Sequence, residues 1–148
     1  MKKDYKTSPA RLLLANAFEF QTSSTMKFEQ GDAPDLHKRT KQFALRIIRL
    51  YRSLPKQDGV AQVLGKQLLR SATSVGAQYR EARRARSAAE FVSKLQCALQ
   101  EMDETAYWLE LIVEAELAKP SSMTNLLGEA SELTAVLASS VKTAKARK

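Results

Sequence analysis

The stretch that decides the fold is residues 68–116, LLRSATSVGAQYREARRARSAAEFVSKLQCALQEMDETAYWLELIVEAE. It holds no Pro and is rich in Ala, Leu, Arg, Glu and Gln, a composition that favours helix. Ser87 followed three residues later by Glu90 is a capping-box pattern. One long helix therefore ends near Arg86 and another begins at Ser87. The sign of charge flips at that junction. Residues 36–86 hold 13 Lys/Arg and 2 Asp/Glu, whereas residues 87–118 hold 1 Lys and 7 Asp/Glu. A basic helical pair beside an acidic helix has a built-in partner for itself. It also has positive charge left over for something else.

Working outward, the rest of the chain is organised in the same way. Leu54-Pro55-Lys56-Gln57-Asp58-Gly59 and Lys119-Pro120-Ser121-Ser122 are turns, with Ser121 or Ser122 expected to cap the helix that follows. The segments between them have helical period and no strand-like alternation. The first helix is expected over 35–53, with Leu36, Phe43, Ile47, Leu50 and Leu54 in one narrow apolar arc. Lys38, Arg39, Lys41, Arg46, Arg49 and Arg52 fall opposite. The second is expected over 60–84, with Val60, Leu64, Leu68, Val75 and Tyr79 inward and Lys66, Arg70, Arg80 and Arg84 outward. Gly65 and Gly76 weaken a helix by about 1 kcal/mol each relative to Ala, which points to close approach by a neighbouring helix.

The third helix, over 87–118, carries a core stripe of Phe91, Leu95, Ala98, Met102, Ala106, Leu109 and Val113. A second apolar patch of Trp108, Leu111, Ile112 and Ala115 falls on its far side. A helix that is apolar on two sides is buried on two sides, so this patch is the expected oligomer interface. The fourth helix, over 122–142, uses Leu126, Leu127, Leu133, Val136, Leu137 and Val141. Residues 143–148 read as a basic tail. Residues 1–34 read as an N-terminal extension, with Ala10–Phe20 a candidate short helix that Thr22-Ser23-Ser24-Thr25 breaks and a disordered linker after it. Met26 offers a second start, which would make residues 1–25 an addition to the domain.

The fold class is therefore all-α with four helices, one domain in 148 residues. No apolar run is long enough to span a bilayer. The start of the chain imitates a signal peptide, but its apolar run is short and meets Glu19 at once. The single Cys97 permits no internal disulfide and fits a reducing cytoplasm.

No catalytic constellation stands out. Asp103 and Glu104 are adjacent on a helix and diverge by about 100°, so they cannot share a substrate atom. Salt bridges to the basic helices are the better reading. His37 lacks partners for a metal site, and Cys97 lacks a base. Neither an enzyme, a cofactor nor a metal is expected. The net charge of +8 instead favours polyanions. Lys66, Arg70, Arg80 and Arg84 recur at helical spacing, Arg83 and Arg86 extend them, and Arg46, Arg49 and Arg52 lie on the preceding helix. Few aromatics interleave, which argues for backbone-type electrostatic binding of nucleic acid rather than base stacking. The competing reading is that these cations neutralise the acids of the third helix.

The segments LLRSATSVGAQYREARRARSAAEF and KLQCALQEMDETAYWLELIVEAE also carry a resemblance. Arg70-Ser71, Ser74, Tyr79, Glu81, Arg84, Ser87, Phe91, Lys94, Leu95, Asp103-Glu104 and Trp108-Leu109 stand where they do in four-helix-bundle proteins encoded within 23S rRNA intervening sequences. The accessory variability determinants of diversity-generating retroelements are similar to these. The likeness spans residues 36–141. One departure is Gln78, where such proteins usually carry Asn. The resemblance implies an antiparallel up-down-up-down bundle that assembles as a ring, typically a homopentamer. It also implies a positively charged surface or pore that binds RNA or DNA and, in the retroelement relatives, association with a reverse transcriptase. A protein-binding scaffold without a nucleic-acid role is the alternative.

Overall fold

The computed structural model describes residues 35–147. The expected extension, including the short helix at 10–20 and the alternative start at Met26, lies outside the described residues. Four helices follow in order: α1 Leu36–Ser53, α2 Gly59–Ala82, α3 Ala88–Glu114 and α4 Pro120–Ala146. Each packs on its sequence neighbours, α2 on α3 most extensively, and a thinner α4–α1 contact closes the bundle. Diagonal helices do not approach one another. The chain is thus an all-α four-helix bundle, with no strand among the described residues.

The ends of the helices follow from local chemistry. Asp35 caps α1, its side chain accepting from the His37 backbone N–H. Asp58 caps α2, accepting from the N–H groups of Val60 and Ala61. Ser87 caps α3 as the capping-box pattern predicts, its Oγ accepting from Glu90 N–H at 3.1 Å. The reciprocal arm is displaced by one residue, because Glu90 Oε2 accepts from the N–H of Arg86 at 2.8 Å. The end of α3 comes four residues earlier than 118. Glu116 adopts the left-handed conformation, φ 57°. Its N–H donates to Val113 O, and that of Leu117 donates to Ile112 O, both at 3.0 Å. This is the paired reversal that closes many helices, here built without the usual Gly.

The fourth helix also differs from expectation at both ends. Pro120 occupies its first turn, where the missing N–H costs nothing. Neither Ser121 nor Ser122 is the cap. Ser122 lies inside the helix and donates back to Lys119 O at 2.7 Å. At the other end α4 continues to Ala146, past the boundary placed at 142.

The core contains every apolar residue expected of α1, namely Leu36, Phe43, Ile47, Leu50 and Leu54. In α2 the buried set is Ala61, Gly65, Leu68, Ser71, Ala72, Val75 and Ala82. Val60 is not in it; this side chain is 59% exposed. The face is rotated toward small residues because α1 approaches closely. A Cβ on Gly65 would lie 2.7 Å from Leu54 Cδ1 and 2.8 Å from Tyr51 Cδ2. A Cβ on Gly76 would lie 3.3 Å from Thr40 Oγ1.

In α3 the buried stripe is Leu95, Ala98, Met102, Thr105, Leu109, Ile112 and Val113. From 95 to 112 the spacing alternates three and four, a coiled-coil seam. Thr105 takes the seam position expected for Ala106. Its hydroxyl donates to Ser71 Oγ at 2.9 Å, and Ser71 Oγ donates on to Leu68 O at 3.2 Å. A polar pair inside the α2–α3 interface is thereby satisfied.

Candidate nucleic-acid interface

The acids that the sequence set against the basic helices are only partly used in that way. Arg70 on α2 reaches Glu104 on α3 and lies 3.8 Å from Glu101. Glu104 also accepts from Trp108 Nε1 at 3.0 Å. The Trp108 hydrogen bond first, and the Arg70 hydrogen bond second, hold the Glu104 carboxyl below the usual carboxylate range. Lys94 pairs with Glu81, and the Glu81 carboxylate raises the Lys94 ammonium above its ordinary value. Arg86 pairs only with Glu90, just across the junction in the first turn of α3, and is otherwise almost wholly exposed. An exposed pair of this kind contributes about 0–1 kcal/mol.

The strongest pairing is one the sequence did not reveal. Arg39 of α1 forms a two-pronged contact with Glu129 of α4, Nε to Oε1 at 3.1 Å and Nη2 to Oε2 at 2.9 Å. Its Nη2 also donates to Glu132 at 2.8 Å. All three side chains are at least half covered.

Of the nine cations singled out by spacing, Arg70 and Arg86 are therefore paired within the bundle. Arg46, Arg49, Arg52, Lys66, Arg80, Arg83 and Arg84 form no ion pair with a described residue. All seven are exposed except Arg46, which is half-buried. Arg46 stands two turns from Arg39 and so on the α4 side of α1. The other six come from α1, α2 and the start of the following turn, and they give the outer side of the α1–α2 pair a cationic surface. Phosphate oxygens suit the planar guanidinium fork.

At one end this surface becomes concave. His37, Arg80, Arg83 and Arg84 line a pocket of about 370 Å³. The Arg80 guanidinium lies 3.3 Å from His37 Nε2 and, having no lone pair, is the donor. Arg80 is one helical turn from both Arg83 and Arg84, a spacing at which like charges cost about 0.2–0.5 kcal/mol per pair. No described carboxylate lines the pocket, and Asp35 nearby is occupied as the α1 cap. Sequence pattern alone makes His37 an ordinary surface residue. Only the antiparallel docking of α1 on α2 brings it to Arg80, 43 residues away.

The expected second patch of α3 is redrawn. Ile112 is fully buried in the monomer core and is unavailable to an interface. Ile112 follows Leu109 by three residues on the buried seam of α3, so its side chain faces the bundle rather than the far side. Trp108 and Leu111 are half-buried and Ala115 is exposed. Tyr107, not foreseen, is 53% exposed and sits with its ring 5.0 Å from that of Trp108. Val60 and Val63 of α2 are exposed as well. Gln78 leaves its Oε1 buried without a hydrogen-bond partner among the described residues, at the position where the resembling proteins usually carry the shorter amide.

Comparison with known proteins gives this arrangement its context. The model of the 23S rRNA-intervening sequence proteins matches residues 34–139. The chain belongs to this family. A solved structure from Bacteroides thetaiotaomicron, described as a protein with unknown function from the S23 ribosomal protein family, is similar at 38% identity and a TM-score of 0.67. The match covers 72% of this chain and 98% of that one. No curated protein matches. In this intervening-sequence protein the matched region takes in all the helices except the last residues of α4, and with them the cationic surface of α1 and α2. No helix among the described residues is long and apolar enough to cross a membrane.

Proposed function

We propose that this chain is a non-enzymatic nucleic-acid-binding protein that works as a homo-oligomer. The observation that carries the reading is the α1–α2 surface. It offers Arg49, Arg52, Lys66, Arg80, Arg83 and Arg84, all exposed and none neutralised by a described carboxylate. Binding through such a surface releases counterions from the phosphate backbone and reads little sequence. RNA and DNA are both acceptable ligands. An accessory role beside a nucleic-acid enzyme, of which a reverse transcriptase is the type suggested by the retroelement relatives, fits weak sequence selectivity.

Self-association is supported by charge as well as by apolar surface. Asp103, Glu110 and Glu114 form no ion pair with a described residue and lie on the same outer side of α3 as exposed Tyr107. Burial and the neighbouring Glu114 both push the Glu110 carboxyl up, so a cation brought to this side would be welcome. A neighbouring copy, with a net charge of +8, has cations to spare for this side. Contact between unlike faces generates a ring when the rotation closes, and a pentamer is the state we expect.

Filter binding of RNA and DNA across a salt series tests the first claim. The logarithm of affinity should fall steeply with the logarithm of salt. Changing Arg49, Arg52 and Lys66 to Ala together should lower that slope by about one for each phosphate no longer neutralised. A flat response, or no binding at low salt, sinks the nucleic-acid reading and leaves the scaffold. Light scattering tests the second claim: Tyr107→Glu should reduce the particle mass, and an unchanged mass rules out this face.

A further inference from the structure

The pocket between His37 and the end of α2 differs in kind from the ridge beside it. Arg49, Arg52 and Lys66 are solvated cations on exposed helix faces. Arg80, Arg83 and Arg84 instead line one concavity of about 370 Å³ together with the imidazole of His37. The three guanidiniums repel one another, and no described carboxylate offsets them there. A ligand that matches them brings more than one negative charge and several acceptor oxygens within a small volume. An internal phosphodiester offers two unbridged oxygens and a single charge. A phosphate monoester offers three oxygens and, near neutral pH, a charge of roughly −1.5 to −2.

We propose that this pocket is a binding site for a phosphate monoester, the group carried by the end of a nucleic-acid strand, with Arg80, Arg83 and Arg84 as its forks. His37 is a positioning residue: its Nε2 accepts from Arg80 and holds that guanidinium at the pocket both residues line. The strand body would then lie along the α1–α2 ridge while its end is seated. This rests on the nucleic-acid reading above for the source of the monoester. The pocket itself would take the same group from free phosphate.

The full chain is titrated with three short strands of one sequence, bearing a 5′-phosphate, a 3′-phosphate, or hydroxyls at both ends. Binding is followed by fluorescence anisotropy. The chain has one histidine, so the ring resonances of His37 report on the pocket without ambiguity. One phosphorylated strand should bind about tenfold more tightly than the hydroxyl strand, the gain expected of an added charge-assisted hydrogen-bond set, and should shift the His37 signals. Which of the two does so identifies the end that is read. Arg80→Gln with Arg84→Gln should erase the preference and the shift. Arg49→Gln with Arg52→Gln should weaken all three strands alike and keep both. Equal binding of the three strands, with no His37 shift, overturns the pocket and leaves the nucleic-acid reading standing. If no strand binds at low salt, that reading falls, and inorganic phosphate decides the pocket alone. A saturable His37 shift that Arg80→Gln with Arg84→Gln abolishes supports the site, and its absence overturns it.

Discussion

The α2–α3 and α4–α1 interfaces hold the same bundle together by different means. The first is extensive, with a seam of buried apolar residues along α3 and one satisfied hydroxyl pair, Ser71 with Thr105. The second is thin, and its most specific feature is the Arg39 fork on Glu129 and Glu132. Burial of apolar surface is not directional and grows with area, so it suits a long interface. A two-pronged ion pair contributes geometry at one point. The molecule is thus strongly built on the α3 side and lightly latched on the other.

Three substitutions would break or sharpen this contrast. Leu109 is fully buried in α3, and Leu109→Ala should cost about 2–5 kcal/mol in urea denaturation, as core truncations do. A loss below about 1 kcal/mol would mean that the seam is looser than its burial implies. Gly65→Ala places a methyl against buried Leu54 and the Tyr51 ring. Overpacking of that kind costs about 1–3 kcal/mol, against which the better helix propensity of Ala returns about 1 kcal/mol. A net loss on thermal melting is expected, and a gain would show that α1 can slide outward freely. Arg39→Met should cost about 1 kcal/mol or less at low salt. The difference should fade toward roughly 1 M salt, where the screening length is about 3 Å. A salt-independent loss would assign the latch to packing of the Arg39 stem instead.

How much of this is legible in the sequence depends on the range over which each feature is decided. The face of α1 is readable because Leu36, Phe43, Ile47, Leu50 and Leu54 are large, apolar and separated from their cations by half a turn. The face of α2 is misleading at Val60 because its true contact surface uses Ala61, Gly65 and Ala72, which carry little hydrophobic signal. Thr105 yields to Ala106 in any pattern reading because a hydroxyl argues against burial until its partner is known. That partner, Ser71, is 34 residues away. The charged residues are identifiable as a set, yet their pairing is not. Arg39 finds Glu129 across 90 residues, and His37 meets Arg80 only through helix docking. The left-handed Glu116 has no signal at all, since the residue that usually marks such a stop is Gly.

The light latch on α1 has a kinetic consequence. α1 and α4 each share a long interface with only one neighbour, and that of α1 is the less extensive, so α1 has the smallest free energy of local release and its amides exchange with solvent before those of the rest. Here that helix supplies His37 and the cations of one half of the positive surface, while α2 supplies the other half. Every transient release of α1 therefore divides the surface and opens the pocket. A polyanion lying across both helices would be held only by the closed form, so it would slow amide exchange in α1 more than in α3.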